Sequence, residues 1–255
     1  MIVFVAWPTS NVYRSNQTAK AWKAAGYKVA IATDLPTHAL KSVEASVPPL
    51  LIKRYEGYWK AMNALCHGLV RMFKADIVVC ASDGIHPHQG IHGHALGQVF
   101  AAKFPNGYGV MQPVGDRWEA TQTASGGTQA WAQHRMHGTR PSDMRLESPW
   151  LGRKIIEDVG DEGPFCPDYD QYFADHEMHD LALRRGVLFK NPMLAQYSEH
   201  WAAGRKPISG YQVKCFERSY EKDLALFKAR EYSNFPAPKA KTDMPQEQTG
   251  GLILP

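Results

Sequence analysis

The stretch Ala75-Asp76-Ile77-Val78-Val79-Cys80-Ala81-Ser82-Asp83-Gly84-Ile85-His86-Pro87 decides how the rest of the chain is read. Ile77 to Ala81 is an apolar run rich in β-branched residues, long enough for a buried strand and too short for a helix. It stops at Ser82-Asp83-Gly84. A carboxylate at the end of a buried parallel strand lies at the carboxyl edge of the sheet, where open α/β folds bind their ligands, and the glycine lets the chain turn away at once. Asp83 is therefore the leading candidate for a functional carboxylate. Asp-Gly is also a common turn pair, so this stretch alone equally suits a residue that only begins a turn.

Toward the N-terminus, Ile2 to Ala6 read as a first buried strand ended by Trp7-Pro8-Thr9-Ser10-Asn11. Gln17 to Ala25 read as a helix closed by Gly26, and Lys28 to Thr33 as a second strand ending at Asp34. This β-α-β opening belongs to a doubly wound sheet, with Thr9, Ser10, Arg14 and Asp34 lining one crevice. Asp34, just before Leu35-Pro36, is equally explained as a turn residue. Leu50-Leu51-Ile52 follows Pro48-Pro49 and suits an edge strand, since proline cannot donate to a ladder. In Gly57 to Phe73, Trp59, Met62, Leu65, Cys66, Leu69 and Met72 recur at helical spacing, leaving Lys60, Asn63, His67 and Arg71 on the other faces.

Beyond Asp83 come His86, His88, His92 and His94, dense enough for a transition-metal site but without the spacing of a zinc motif. Ala95 to Lys103 read as a helix and Gly107 to Val114 as a strand. Residues 119–147 are polar without a clean period, an inserted lobe or loop over the site. Phe173-Ala174-Asp175-His176-Glu177 opens a helix running to Gly186, with acids in its first turn and arginines in its last. Acids so placed often serve only the helix dipole. Val187 to Phe189 suggest a last short strand, Lys214 to Arg230 a helix, and the residues beyond Phe235 an extended tail.

The 255 residues, 44% hydrophobic, suffice for one large α/β domain. Cys66, Cys80, Cys166 and Cys215 lie far apart and suggest neither a disulfide framework nor a zinc ribbon. A net charge of +4 mildly favours anionic ligands and is small for a dedicated nucleic-acid binder. No apolar window suits a membrane span, and the first residues do not read as a signal peptide, so the expectation is a cytoplasmic protein.

With the strands placed, the order of features over residues 2–230 resembles the GT-A fold of nucleotide-sugar glycosyltransferases, especially the short family-2-type enzymes of bacteriophages. The resemblance implies an α/β fold with a mixed, mainly parallel, Rossmann-like sheet flanked by helices. It implies one catalytic domain over 1–232, with a nucleotide-sugar half (1–116), an insertion (117–147) and an acceptor half (148–232), followed by a tail (233–255). Arg14 and Asp34 look like donor-nucleotide contacts, and Lys60 and Asn63 fall where the family has a helix facing the nucleotide. Ser82-Asp83-Gly84 stands at the family's Asp-x-Asp position with the first acid missing. Asp175 and Glu177 resemble the acidic pair that includes the general base of inverting enzymes, and His200 the downstream histidine that completes the metal site.

The chemistry implied is transfer of a sugar from a nucleotide-sugar, a UDP-sugar for instance, to an acceptor hydroxyl. Mn²⁺ or Mg²⁺ on Asp83 would neutralise the leaving diphosphate, with His200 better suited to Mn²⁺. Asp175, ahead of Glu177, would take the acceptor proton. Thr9, Arg14, Ser82, Lys60, Arg153 and Arg205 would hold phosphate or position substrates. For the acceptor, a hydroxymethylated base of phage DNA, a saccharide and a protein side chain all stay open. Two other readings stand beside this one. The first is a metal-dependent hydrolase using His86, His88, His92 and His94 with Asp83 and Asp116. The second is a nucleic-acid-binding module, against which the scattered basic residues argue.

Overall fold

The computed structural model describes residues 1–88, 90–114, 146–159, 163–199 and 210–235. Its strands are β1 (Val3–Pro8), β2 (Lys28–Thr33), β3 (Leu50–Leu51), β4 (Ile77–Cys80), β5 (Ile85–Pro87), β6 (Val110–Val114), β7 (Trp150–Gly152), β8 (Leu188–Leu194) and β9 (Gln196–Ser198). Its helices are α1 (Val12–Ala24), α2 (Thr37–Leu40), α3 (Tyr58–Phe73), α4 (Gly93–Lys103), α5 (Arg153–Asp158), α6 (Ala174–Arg184) and α7 (Gly210–Tyr232).

Seven strands form one sheet in the order β3-β2-β1-β4-β7-β6-β8. β1 pairs in parallel with β2 and β4, and β2 with β3, while β7 runs antiparallel to both β4 and β6. β6 and β8 are again parallel. The strand period of two divides the core. Phe4, Ala6, Ala30, Val78 and Cys80 face α3, α6 and α7. Val3, Val5, Trp7, Val29, Ile77 and Val79 face Ala19 and Trp22 of α1 and Leu96 and Phe100 of α4. Strands buried on both faces read as continuous apolar runs, which is why β1, β2 and β4 stood out in the sequence.

Several boundaries differ from the sequence reading. α1 starts at Val12, because Asn11 caps it by accepting the Arg14 amide at 3.1 Å, so Arg14 lies in the helix's first turn. β8 extends to Leu194 and β9 follows. β9 pairs antiparallel with β5, folding part of the histidine segment into a two-stranded sheet beside the main one. The expected insertion at 117–147 lies, apart from Leu146 and Glu147, outside the described residues, as does the tail beyond Phe235.

Two buried carboxylates bind α6 and α7 to the rest. Asp223 of α7 accepts the amides of Asp170, Gln171 and Tyr172 at 3.0, 2.8 and 2.8 Å. Glu177 of α6 forms a two-pronged pair with Arg230 of α7 at 2.8 and 2.7 Å, and also accepts the Tyr169 hydroxyl at 2.9 Å. The fork geometry suits arginine and not lysine.

Candidate active site

The chain winds outward from β1 to β2 and β3, then crosses back to place β4 on the other side of β1. The carboxyl ends of β1 and β4 therefore bound a switch-point crevice, the usual ligand site of an open α/β sheet. Thr9, Asp34 and Ser82-Asp83 all fall at this edge, as expected. Thr9 turns its hydroxyl to the Asn11 amide, at 3.0 Å, and helps start α1. Asp34 is exposed.

The turn after β4 is held from several sides. The Ser82 hydroxyl accepts the Gly84 amide at 3.2 Å, and the Ser82 carbonyl accepts that of Ile85 at 3.1 Å. The Tyr58 hydroxyl donates to the Ala81 carbonyl at 2.6 Å. Burial pushes the Tyr58 phenol well above its ordinary pKa, so it keeps the proton it donates. Arg14 Nε and the Thr18 hydroxyl both donate to the Asp83 carbonyl, at 3.1 and 2.9 Å, and Trp22 Nε1 donates to that of Ile85 at 2.9 Å. The Gly84 carbonyl accepts the Glu199 amide at 2.8 Å, bringing the end of β9 to the turn.

The Asp83 carboxylate is 30% exposed, with Oδ1 3.7 Å from Arg14 Nε. The same guanidinium reaches Glu199 Oε2 at 3.2 Å, and Glu199 Oε1 lies 3.3 Å from His86 Nε2. His86 stacks on Tyr197 across the small sheet, with ring centroids 5.4 Å apart. Two carboxylates thus flank one arginine at the mouth of the crevice. Glu199 and His86 were not singled out for this role in the sequence, because only the β5–β9 pairing brings 86 and 199 together.

The segment before Asp175 packs on the start of α3. Trp59 Nε1 donates to the Gln171 carbonyl at 3.0 Å. Gly57, at φ +128°, lets the Asp170 carbonyl come so near that an added Cβ would lie 2.7 Å from it. The segment leading to Asp175 therefore rests on the helix start that also supplies Tyr58 to the β4 turn. The Asp175 side chain is 14% exposed, with Oδ1 3.3 Å from His176 Nδ1.

Several expected contacts belong elsewhere. Arg153 donates to the carbonyls of Ala75, at 2.8 Å, and Lys74, and to Asp76 Oδ1 at 2.9 Å. These groups precede β4, so Arg153 sits at the amino edge of the sheet, opposite Asp83, and works as a structural clamp. Asn63 is 4% exposed, its amide closing a two-way bridge with the Phe165 backbone at 2.6 and 3.1 Å. It packs against Gly163, where an added Cβ would fall 2.3 Å from the Asn63 side chain. Lys60 pairs with Glu56 at 3.0 Å on the exposed side of α3. Glu177, 4% exposed and engaged by Arg230 and Tyr169, is committed to holding α6 on α7.

Of the histidine cluster, His86 faces Glu199, and His94 lies 3.1 Å from Gln98 within α4. Among the described residues, no three of His, Cys, Asp and Glu converge where they would hold a metal ion. Asp116, His200 and Arg205 lie outside the described residues. No described helix is long and apolar enough to cross a membrane.

No protein-family model matches the chain, and no curated protein matches it by sequence. Solved structures do share its fold. Glucosyl-3-phosphoglycerate synthase from Mycobacterium tuberculosis, crystallised with Mn²⁺, UDP-glucose and phosphoglyceric acid, is similar with a TM-score of 0.52 at 11% identity, over 92% of this chain and 80% of that one. The same synthase with Mn²⁺, UDP and glucosyl-3-phosphoglycerate gives 0.51 at 10% identity, over 92% and 81%. With phosphoglyceric acid it gives 0.50 at 11% identity, over 90% and 79%. At such identities the likeness is one of architecture, and the chain has the mainly parallel, helix-flanked sheet of the GT-A fold.

Proposed function

We propose that this protein is a glycosyltransferase that moves a sugar from a nucleoside-diphosphate donor to an acceptor hydroxyl. The observation that carries the reading is the placement of Asp83. It is a part-exposed carboxylate on a pinned turn at the switch point of a GT-A sheet, with the Arg14 guanidinium beside it. A UDP-sugar is the donor class we favour, since the similar synthase was crystallised with Mn²⁺ and UDP-glucose.

The donor set suits a cation that arrives with its substrate. Asp83 offers one accessible hard oxygen ligand, and Mg²⁺ or Mn²⁺ bound with substrate phosphates needs only one or two protein carboxylates. Such an ion would supply charge neutralisation of the leaving diphosphate. Arg14 is placed to add a fixed positive charge on the same side. Asp175, on the segment anchored to the α3 start, is the general base in this reading. The acceptor oxygen bonds to the anomeric carbon as the bond from that carbon to the phosphate oxygen breaks, and the hydroxyl proton passes to Asp175. One displacement of this kind inverts the anomeric centre. Glu177 takes no part, because its carboxylate is already committed.

The reading is tested by calorimetric titration of UDP and UDP-sugars with and without Mn²⁺, for the parent and Asp83→Ala. Expected are metal-dependent binding to the parent, loss of that dependence in the variant, and unchanged thermal unfolding. Equal binding by both proteins would refute Asp83 as the metal-bearing carboxylate. Turnover assays with saccharides, proteins and DNA containing hydroxymethylated bases would then separate the acceptor classes.

A further inference from the structure

Arg14, Thr18 and Trp22 stand at i, i+4 and i+8 on α1, and all three donate to carbonyls of one short turn, Asp83 to Ile85. One stripe of one helix therefore sets the backbone that carries Asp83. The two donors on the Asp83 carbonyl differ in kind. Arg14 is 38% exposed and is also drawn to the carboxylates of Asp83 and Glu199. Thr18 is 1% exposed and lies on the sealed face of the helix. A threonine within a helix commonly turns its hydroxyl back to the carbonyl one turn earlier. Here it reaches across to a residue 65 positions away.

We propose that Thr18 is the positioning residue of the donor site, holding Asp83 in place while Arg14 is released to the substrate's diphosphate. The inference rests on the reading of Asp83 as the donor-site carboxylate. An incoming diphosphate competes with the Asp83 carbonyl, the Asp83 carboxylate and Glu199 for the Arg14 guanidinium. If Arg14 were the only side-chain donor to that carbonyl, capturing the phosphate would loosen the carboxylate that must hold the cation. The Thr18 hydroxyl, out of reach of phosphate, separates the two tasks. It needs no contact with donor, cation or acceptor to do so.

The experiment compares Thr18→Val, which removes the hydroxyl and keeps the shape, with Thr18→Ser, which restores it. Two readouts are taken on the full chain: amide hydrogen exchange at Gly84 and Ile85, and titration of UDP in the presence and absence of Mn²⁺. Loss of one neutral hydrogen bond predicts roughly a three- to tenfold weakening of Mn²⁺-dependent UDP binding in Thr18→Val. Faster exchange confined to the turn should accompany it, and Thr18→Ser should return both to parent values. Unchanged exchange at Gly84 and Ile85 overturns the proposal whatever the binding does. Faster exchange with parent-like Mn²⁺-dependent binding overturns it too, leaving Thr18 a purely structural residue. A parent protein that binds no UDP with Mn²⁺ refutes the donor-site reading and this inference with it, while exchange still shows separately whether Thr18 holds the turn.

Discussion

Replacing Glu177 by leucine tests whether that acid builds the fold or does chemistry. The change removes both prongs of the Arg230 pair and the acceptor of the Tyr169 hydroxyl. Both side chains are deeply buried, so the guanidinium stays in place without its carboxylate. Breaking one partner of a buried pair costs about 3–5 kcal/mol. The lost tyrosine hydrogen bond adds about 1 kcal/mol. At a urea slope of about 2–3 kcal/mol/M, a loss of about 4–6 kcal/mol lowers the unfolding midpoint by roughly 1.3–3 M. Removing both charges, in Glu177→Leu with Arg230→Met, should recover most of the loss, because apolar side chains need no desolvation. Urea titration by circular dichroism measures both variants. A single variant within about 0.3 M of the parent, or a double variant as weak as the single one, would refute the assignment of a buried, stability-bearing pair.

Further outcomes follow from the same geometry. If Asp175 is the base proposed above, Asp175→Asn should lower turnover by about two to four orders of magnitude while leaving the UDP dissociation constant within about twofold, since the proton acceptor of that proposal is used only in the transition state. Loss of donor binding instead of turnover would remove Asp175 from the role of base. Stability should also fall on the alkaline side. Burial pushes the Cys166 thiol from 9.0 up to about 11, and raises Cys80 and the phenols of Tyr27, Tyr58 and Tyr169 as well. The folded state holds protons that the unfolded chain gives up first. The contribution of Cys166 is therefore complete below about pH 9 and is lost as pH rises toward 11. Urea midpoints should be level from about pH 7 to 8.5 and then decline, with Cys166→Ala declining less; a level profile to about pH 10.5 would contradict the burial of these groups.

How much of this was legible follows from the range of each signal. β1, β2 and β4 are buried on both faces, so their apolar runs show without context, and with them the edge position of Asp83. The α3 period showed because one face of the helix is buried, through Trp59, Met62, Leu65, Cys66 and Leu69, while Lys60 lies on the exposed face; Met72, in the last turn, is exposed against expectation. β7 has three residues and pairs with strands distant in sequence, which leaves no local trace. Arg153 illustrates the difficulty: its charge is plain in the sequence, but only the antiparallel course of β7 puts it at the wrong edge for the site. Asn63 looked polar and available on a helix, and its burial depends on Phe165, 102 residues away. The Arg14, Thr18, Trp22 stripe has helical spacing in the sequence, but it belongs to one helix only because the Asn11 cap starts α1 at Val12, five residues before the apolar period is evident. Glu199 had none, since a lone glutamate after a short strand is ordinary until β9 meets β5.

Asp223 sets an order of events during synthesis. The amides it receives belong to residues 170–172, so the segment before Asp175 waits for its acceptor until more than fifty further residues have been added. At about 5–20 residues per second that interval is roughly 3–10 s. β1 to β4, with the turn bearing Asp83 and its α1 donors, lie within the first 85 residues, and what later residues add to them is Glu199, the antiparallel partner of β4, the Arg153 clamp and the packing of α4, α6 and α7. The growing chain therefore holds the strands and the turn of the switch-point crevice well before the segment leading to Asp175 is fixed, which waits for α7.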